Sequence, residues 1–96
     1  MDMLANKVAV ITGATSGIGE AICHKFSKLN MKMVLHGRNE QKLLKLSQMT
    51  SSAYLAGDIT EKNTPEQLLK IAVEKFGRCD ILINNAGICY YGPTVD

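Results

Sequence analysis

No apolar run in the 96 residues approaches the ~20 needed to cross a bilayer as a helix. A membrane span is therefore excluded as the reading of any segment. Charge of one sign is also scarce. Eleven Lys and Arg stand against nine Asp and Glu, a formal net charge of +2. No basic block or basic amphipathic stripe accompanies it, which argues against a nucleic-acid or membrane partner. The N-terminus carries Asp2 and then a strand pattern, without a basic segment or a long apolar stretch, so no secretory leader is expected. Cysteines are few and odd in number: Cys23, Cys79 and Cys89. No pair has metal or redox spacing, and the reading is reduced, mostly buried thiols in a cytosolic, cytoplasmic protein. His24 and His36 stand without ligand spacing, and no metal site is expected. No linker, repeat or low-complexity segment interrupts the chain, which is short enough for one domain. What remains is 46% hydrophobic and 21% charged, the composition of a soluble globular protein.

Strand and helix patterns alternate from end to end. A β-branched run over about Lys7 to Thr12 reads as the first strand. A helix follows from near Ser16, with Ile18, Ile22, Phe26 and Leu29 on one face and Asn30 as its stop. A second strand covers Met33 to Leu35 and ends at His36-Gly37. Asn39 caps a second helix carrying Leu43, Leu44, Leu46 and Ser47. The third strand is about Ala53 to Ala56, closed by Gly57-Asp58. The third helix has the clearest start. Thr64 can cap, Pro65 suits the first helical position and Gln67 completes a capping box. Its expected buried stripe is Leu68, Leu69, Ala72, Val73 and Phe76, and Gly77 ends it. A fourth strand, Ile81 to Ile83, runs into the turn Asn84-Asn85-Ala86-Gly87. Tyr54, in the third strand, reads as core or sheet-face packing.

Strands separated by helices must run parallel, with right-handed crossovers. The predicted fold is therefore α/β: β-α-β-α-β-α-β, the N-terminal half of a Rossmann-like doubly wound parallel sheet in the order 3-2-1-4. Ligands bind such sheets beyond the carboxyl ends of the strands, where the strand order reverses. That point lies between the first and fourth strands. The glycine loop Thr12-Gly13-Ala14-Thr15-Ser16-Gly17-Ile18-Gly19 and the turn Asn84–Gly87 both fall there. Glycines between a strand and a helix let the backbone approach a phosphate, and the first-turn N–H groups face the anion. The spacing Gly13-x-x-x-Gly17-x-Gly19 is neither Gly-x-Gly-x-x-Gly nor a P-loop.

The loop, together with Phe76-Gly77-Arg78-Cys79-Asp80-Ile81-Leu82-Ile83-Asn84-Asn85-Ala86-Gly87, strongly resembles the short-chain dehydrogenase/reductase family over nearly the whole chain. The resemblance implies an NAD(P)-binding domain, spanning 1–96 as a partial unit. It implies that Gly13 and Gly17 let the backbone approach the pyrophosphate, with Ser16 and Ile18 beside the phosphates. Gly19 would let the first helix pack on the sheet, and Thr12 and Asn85 would tie the two turns together. For these three residues a purely shape-holding role is the competing reading. Asp58 matches the family acid that contacts adenine, and Ala86 and Gly87 would pass close to the cofactor's ribose.

Cofactor choice has a physical argument of its own. NAD-binding sheets place an acid at the end of the second strand to bind the ribose 2′-hydroxyl. Here that turn reads His36-Gly37-Arg38, with no carboxylate before Glu40. A 2′-phosphate would be repelled by an acid but pairs with the guanidinium fork of Arg38, and Thr15 and Asn39 can add hydrogen bonds. NADP(H) is therefore expected over NAD(H). The competing reading makes Arg38 a solvated charge at the start of the second helix. Ser16 departs from those NADP-preferring relatives that carry a basic residue there.

The family transfers hydride with a Ser and a Tyr-x-x-x-Lys pair, interconverting an alcohol and a ketone or aldehyde. Neither Tyr90 nor Tyr91 has a lysine four residues on, so no catalytic residue is assigned. Both read as parts of a loop edging the crevice. The expectation is a truncated cofactor half that is inactive alone. Its fourth strand would be an open edge and its third helix would stand alone on one face, so it should be poorly soluble or self-associating. A homo-oligomer is expected only with the missing C-terminal part, and a small carbonyl or alcohol substrate only in the longer form. A nucleotide-binding regulatory module and a truncated inactive product are the alternatives.

Overall fold

The apolar run Val8–Ile11 forms the central strand, β1, and all four of its residues are buried. Its side chains alternate between two cores. Ala9 and Ile11 join one cluster, while Val8 and Val10 join the other. A strand buried on both faces reads as a continuous apolar run, as this one does. A computed structural model describes the chain over residues 4–57, 64–84 and 87–90.

Around β1 the elements follow in alternation: α1 (Gly17–Lys28), β2 (Lys32–Gly37), α2 (Glu40–Thr50), β3 (Ala53–Ala56), α3 (Thr64–Phe76), β4 (Ile81–Asn84) and β5 (Gly87–Tyr90). The sheet order is β3-β2-β1-β4-β5. β1 pairs parallel with β2 and β4, and β2 pairs parallel with β3. The four parallel strands thus take the 3-2-1-4 order of a Rossmann-like fold. Among the described residues, no helix is long and apolar enough to cross a membrane.

Two departures concern the far edge. The turn expected at Asn84–Gly87 is instead shared between two strands, with Asn84 closing β4 and Gly87 opening β5. β5 pairs antiparallel with β4, Ile83 opposite Ile88 and Ile81 opposite Tyr90. β4 is therefore not the open edge, and Tyr90 belongs to a strand rather than a loop. The apolar and aromatic run Ile88-Cys89-Tyr90 has β propensity, but it is short and lacks a helix before it, so the β-α alternation hid it. Tyr91 lies outside the described residues.

The faces are covered as the alternation demands. Cys23 of α1 and Leu43 and Leu46 of α2 pack on Ala9, Met33, Leu35 and Ile83. Leu68 and Ala72 of α3 pack on Val8, Val10 and Val34. Tyr54 lies half-buried against the first of these clusters. Within helices, the two expected stripes largely hold: Ile22, Phe26 and Leu29 of α1 and Leu68, Ala72 and Phe76 of α3 lie in or against the core, while Ile18 is exposed. In α3, Val73 is 55% exposed, and Ile71 packs against the core instead. On α1 the buried residues are Gly19 and Cys23. Its Ile22 and Phe26 are only partly buried, and they line an apolar groove of about 510 Å³ with Ile18 and Ile83.

Helix ends follow local chemistry. Asn39 caps α2, its side chain accepting from Lys42 N–H at 3.1 Å. Asn30, past the end of α1, takes the left-handed conformation with φ 62°, as its short polar side chain permits. Helix α3 begins at Thr64, and the expected capping box of Thr64 with Gln67 rests on the Thr64 side chain, which lies outside the described set.

Candidate functional site

The candidate site is built where β1 and β4 end. Thr12 fastens the two strands: its N–H donates to the Ile83 carbonyl at 2.8 Å, and its Oγ1 reaches the same oxygen at 3.3 Å. One residue on, Gly13 has φ 62°. A side chain there would meet the steric penalty of the left-handed region, so glycine permits the reversal. The chain then docks on the neighbouring strand, Ala14 N–H donating to the His36 carbonyl at 2.9 Å. The loop is thereby pinned on both sides, to β4 through Thr12 and to β2 through Ala14.

Ser16 starts the helix. Its backbone is extended, and its Oγ accepts from Gly19 N–H at 3.1 Å while donating to the Gly13 carbonyl at 2.8 Å. The side chain expected beside the phosphates is therefore also the N-cap of α1. Capping by Ser16 leaves Gly17 and Ile18 N–H as first-turn donors without an intrahelical acceptor. Gly17 is exposed, and a Cβ built on it would meet nothing within 4 Å. Gly19 is the opposite: a Cβ there would lie 2.2 Å from the Gly13 carbonyl oxygen and 2.9 Å from Ala14 Cα. Gly19 thus lets α1 close on its own entry loop, a tighter role than packing on the sheet.

At the end of β2, Arg38 and Asn39 are both exposed. Thr15, from the glycine loop, lines a crevice of about 280 Å³ with Glu20 of α1 and Lys42, Lys45, Leu46 and Met49 of α2. Two charged side chains at this point, Lys42 and Lys45, escape the sequence reading. Their three-residue spacing on α2 puts both lysines on one face, but does not say which face meets the loop. Of the remaining expected residues, Gly87 is described as the first residue of β5. Asp58, Asn85 and Ala86 lie outside the described residues.

The site holds donors and cations rather than nucleophiles. Cys23, on the buried face of α1, has its thiol pushed up to about 12, by burial first and by Glu20 second, against a backbone hydrogen bond that lowers it. It stays a protonated core thiol. Among the described residues, no group of three or more His, Cys, Asp or Glu gathers into a metal-binding cluster. The arrangement can bind an extended anionic molecule along the loop and the β2 end.

Known proteins share this architecture. The short chain dehydrogenase family model matches residues 7–96. An uncharacterised oxidoreductase of Staphylococcus epidermidis is 44% identical over 89 residues, covering 91% of this chain and 39% of the relative. L-sorbose reductase from Gluconobacter frateurii, solved with NADPH and L-sorbose, matches at TM-score 0.81 and 35% identity, over 91% of this chain and 36% of that one. A 3-ketoacyl-(acyl-carrier-protein) reductase from Brucella melitensis, solved with NADH, matches at TM-score 0.76 and 33% identity, over 82% of this chain and 33% of that one. The chain thus spans 39% of the length of the curated relative it matches. With its sheet order, its glycine loop and a family match over residues 7–96, the chain belongs to the short-chain dehydrogenase family.

Proposed function

We propose that this chain is the cofactor-binding part of an NADP(H)-dependent oxidoreductase that interconverts an alcohol and a ketone or aldehyde. The observation that carries the reading is the start of α1. Gly17 and Ile18 N–H have no intrahelical acceptor, and the space where a Gly17 side chain would stand is open. Donors at a helix N-terminus with room for close approach suit a pyrophosphate. The residues present therefore fit a dinucleotide, whose nicotinamide supplies the hydride. The protein's part is to hold and orient it. Gly13 turns the loop, Gly17 and Ile18 donate to the phosphates, and Ser16 keeps the helix end capped beside them. Asp58 against the adenine, and Ala86 and Gly87 along the ribose, complete the proposal by resemblance to the family, with Asn85 tying the two turns together. Asn85 and Gly19 are assigned as much to holding shape as to contact.

The preference for NADP(H) is supported by charge at the end of β2. Arg38 is exposed there and no carboxylate precedes Glu40, so a 2′-phosphate finds a cation and no acid within the turn itself. The relatives with bound cofactor carry NADPH in one case and NADH in the other. Titration followed by the fluorescence of the reduced nicotinamide tests the preference. NADPH should bind at least about tenfold tighter than NADH, and Arg38→Ala should weaken NADPH by about tenfold with little change for NADH. Equal affinities in the wild type, or an Arg38→Ala variant that keeps its NADPH affinity, would overturn it.

A further inference from the structure

Thr15 sits where three elements meet. A Cβ built on Gly37, at the end of β2, would lie 3.2 Å from Thr15 Oγ1, 3.3 Å from its Cγ2 and 3.6 Å from Leu43 Cδ1. The bare backbone of Gly37 thus receives the Thr15 side chain, and the glycine loop closes against the start of α2. The crevice beside it is walled by Thr15, Glu20, Lys42 and Lys45, with Leu46 and Met49 as its apolar lining. Lys42 and Lys45 are three apart on α2 and so share a face. Among the described residues, neither lysine forms an ion pair, and the Glu20 carboxylate lies 3.7 Å from His24 Nε2. Two lysines without an ion pair and a threonine border one crevice that meets the glycine loop at Thr15, a set of residue types suited to a compact anion such as a phosphate. Lysine serves phosphate as a point charge without demanding a fixed plane.

We propose that Lys42, seconded by Lys45, binds the 2′-phosphate of NADP(H) together with Thr15, so that cofactor selectivity resides on the first turns of α2 as well as on Arg38. The proposal rests on the NADP(H) reading above and deepens it. Glu20 faces the same crevice and opposes the anion, which sets a limit on the gain. Gly37 leaves room for this contact, since a Cβ there would crowd Thr15 at 3.2 Å and require it to shift by a few tenths of an ångström.

The test uses fragments of the cofactor and needs no catalytic turnover. Calorimetric titration compares 2′,5′-ADP with 5′-AMP on the wild type and on Lys42→Gln, Lys45→Gln, the double variant, Lys42→Arg and Arg38→Ala. The wild type should prefer 2′,5′-ADP. Lys42→Gln should weaken 2′,5′-ADP by about tenfold and 5′-AMP by less than about twofold, with Lys45→Gln showing a smaller loss of the same kind. Lys42→Arg keeps the charge and should restore most of the preference, which separates charge from packing or folding defects. Circular dichroism melting should be unchanged in all variants. The proposal is overturned if the wild type prefers 2′,5′-ADP and Arg38→Ala removes that preference, while the double lysine variant keeps it. It is equally overturned if 2′,5′-ADP and 5′-AMP bind the wild type alike, and in that case the NADP(H) reading fails as well.

Discussion

Gly17 and Gly19 stand two residues apart in one turn of α1 and are glycine for opposite reasons. A methyl on Gly17 would meet open space, whereas one on Gly19 would overlap the backbone of Gly13 and Ala14. Ordinarily, Gly→Ala inside a helix stabilises by about 1 kcal/mol. Gly17→Ala should leave stability within about 0.5 kcal/mol of the wild type and weaken NADPH binding by about tenfold, since its methyl enters the space proposed for the pyrophosphate. Gly19→Ala should cost about 3 kcal/mol or more, because the overlapped atoms are backbone and cannot rotate away. Urea unfolding and nucleotide titration of both variants measure the two effects separately. A Gly19→Ala protein as stable as the wild type would contradict the packing argument. The motif Gly13-x-x-x-Gly17-x-Gly19 was legible as a loop for a nucleotide. Which glycine serves the ligand and which serves the fold was not, because that depends on how the helix closes on its own entry, a contact that spacing does not encode.

At the scale of elements, the starts of β1 and β4 are joined by one carboxylate. Asp80 Oδ2 accepts from Val8 N–H at 2.8 Å, and Oδ1 accepts from Arg78 Nε at 3.0 Å and Nη2 at 2.6 Å. Burial, the largest single influence, raises the Asp80 pKa. The hydrogen bonds from Arg78 and Val8 N–H, with the charges of Arg78 and Lys7, together outweigh it and bring the carboxyl below its usual 3.8. A pKa lowered by folding means stability that is fully present above the unfolded value and lost as pH falls through the folded one. The contribution of Asp80 should thus hold at neutral pH and fade below about pH 4. Asp80→Asn should cost about 1–2 kcal/mol at pH 7 and flatten the acid limb of the stability profile. Thermal melts from pH 7 to pH 2 provide the check, and an unchanged acid limb would contradict the assignment. The strand and helix limits were largely legible, since capping and stopping are local: Asn39, Asn30 and the third strand stand where the sequence put them. The faces were less so. Val73 and Ile18 are apolar and correctly phased, yet exposed, because periodicity gives a face of a helix but not how far along that face the sheet reaches. The long-range clasp of Asp80 on Val8 joins residues 72 apart and leaves no periodic trace.

For the whole molecule, alternation of strand and helix was enough for the topology. Parallel strands need crossovers, each crossover is a helix, and the order 3-2-1-4 follows with its switch point between β1 and β4. The antiparallel β5 broke that pattern and could not be read from it, so among the described residues β4 is flanked by a strand on either side. The site was legible as a place, the carboxyl ends of β1 and β4, because that place follows from topology. Lys42 and Lys45 were not legible, because they face the crevice only once α2 is seated against the loop. The central claim is that a dinucleotide lies across the N-terminus of α1. Its most direct test is titration of the isotope-labelled protein with NADPH, followed through backbone amide resonances. The account predicts that the largest shifts occur at Gly17, Ile18 and Gly19, with smaller ones at Thr15, Arg38 and Asn39 and none along α3. Saturating NADPH that leaves the amides of Gly17 and Ile18 unmoved would contradict it.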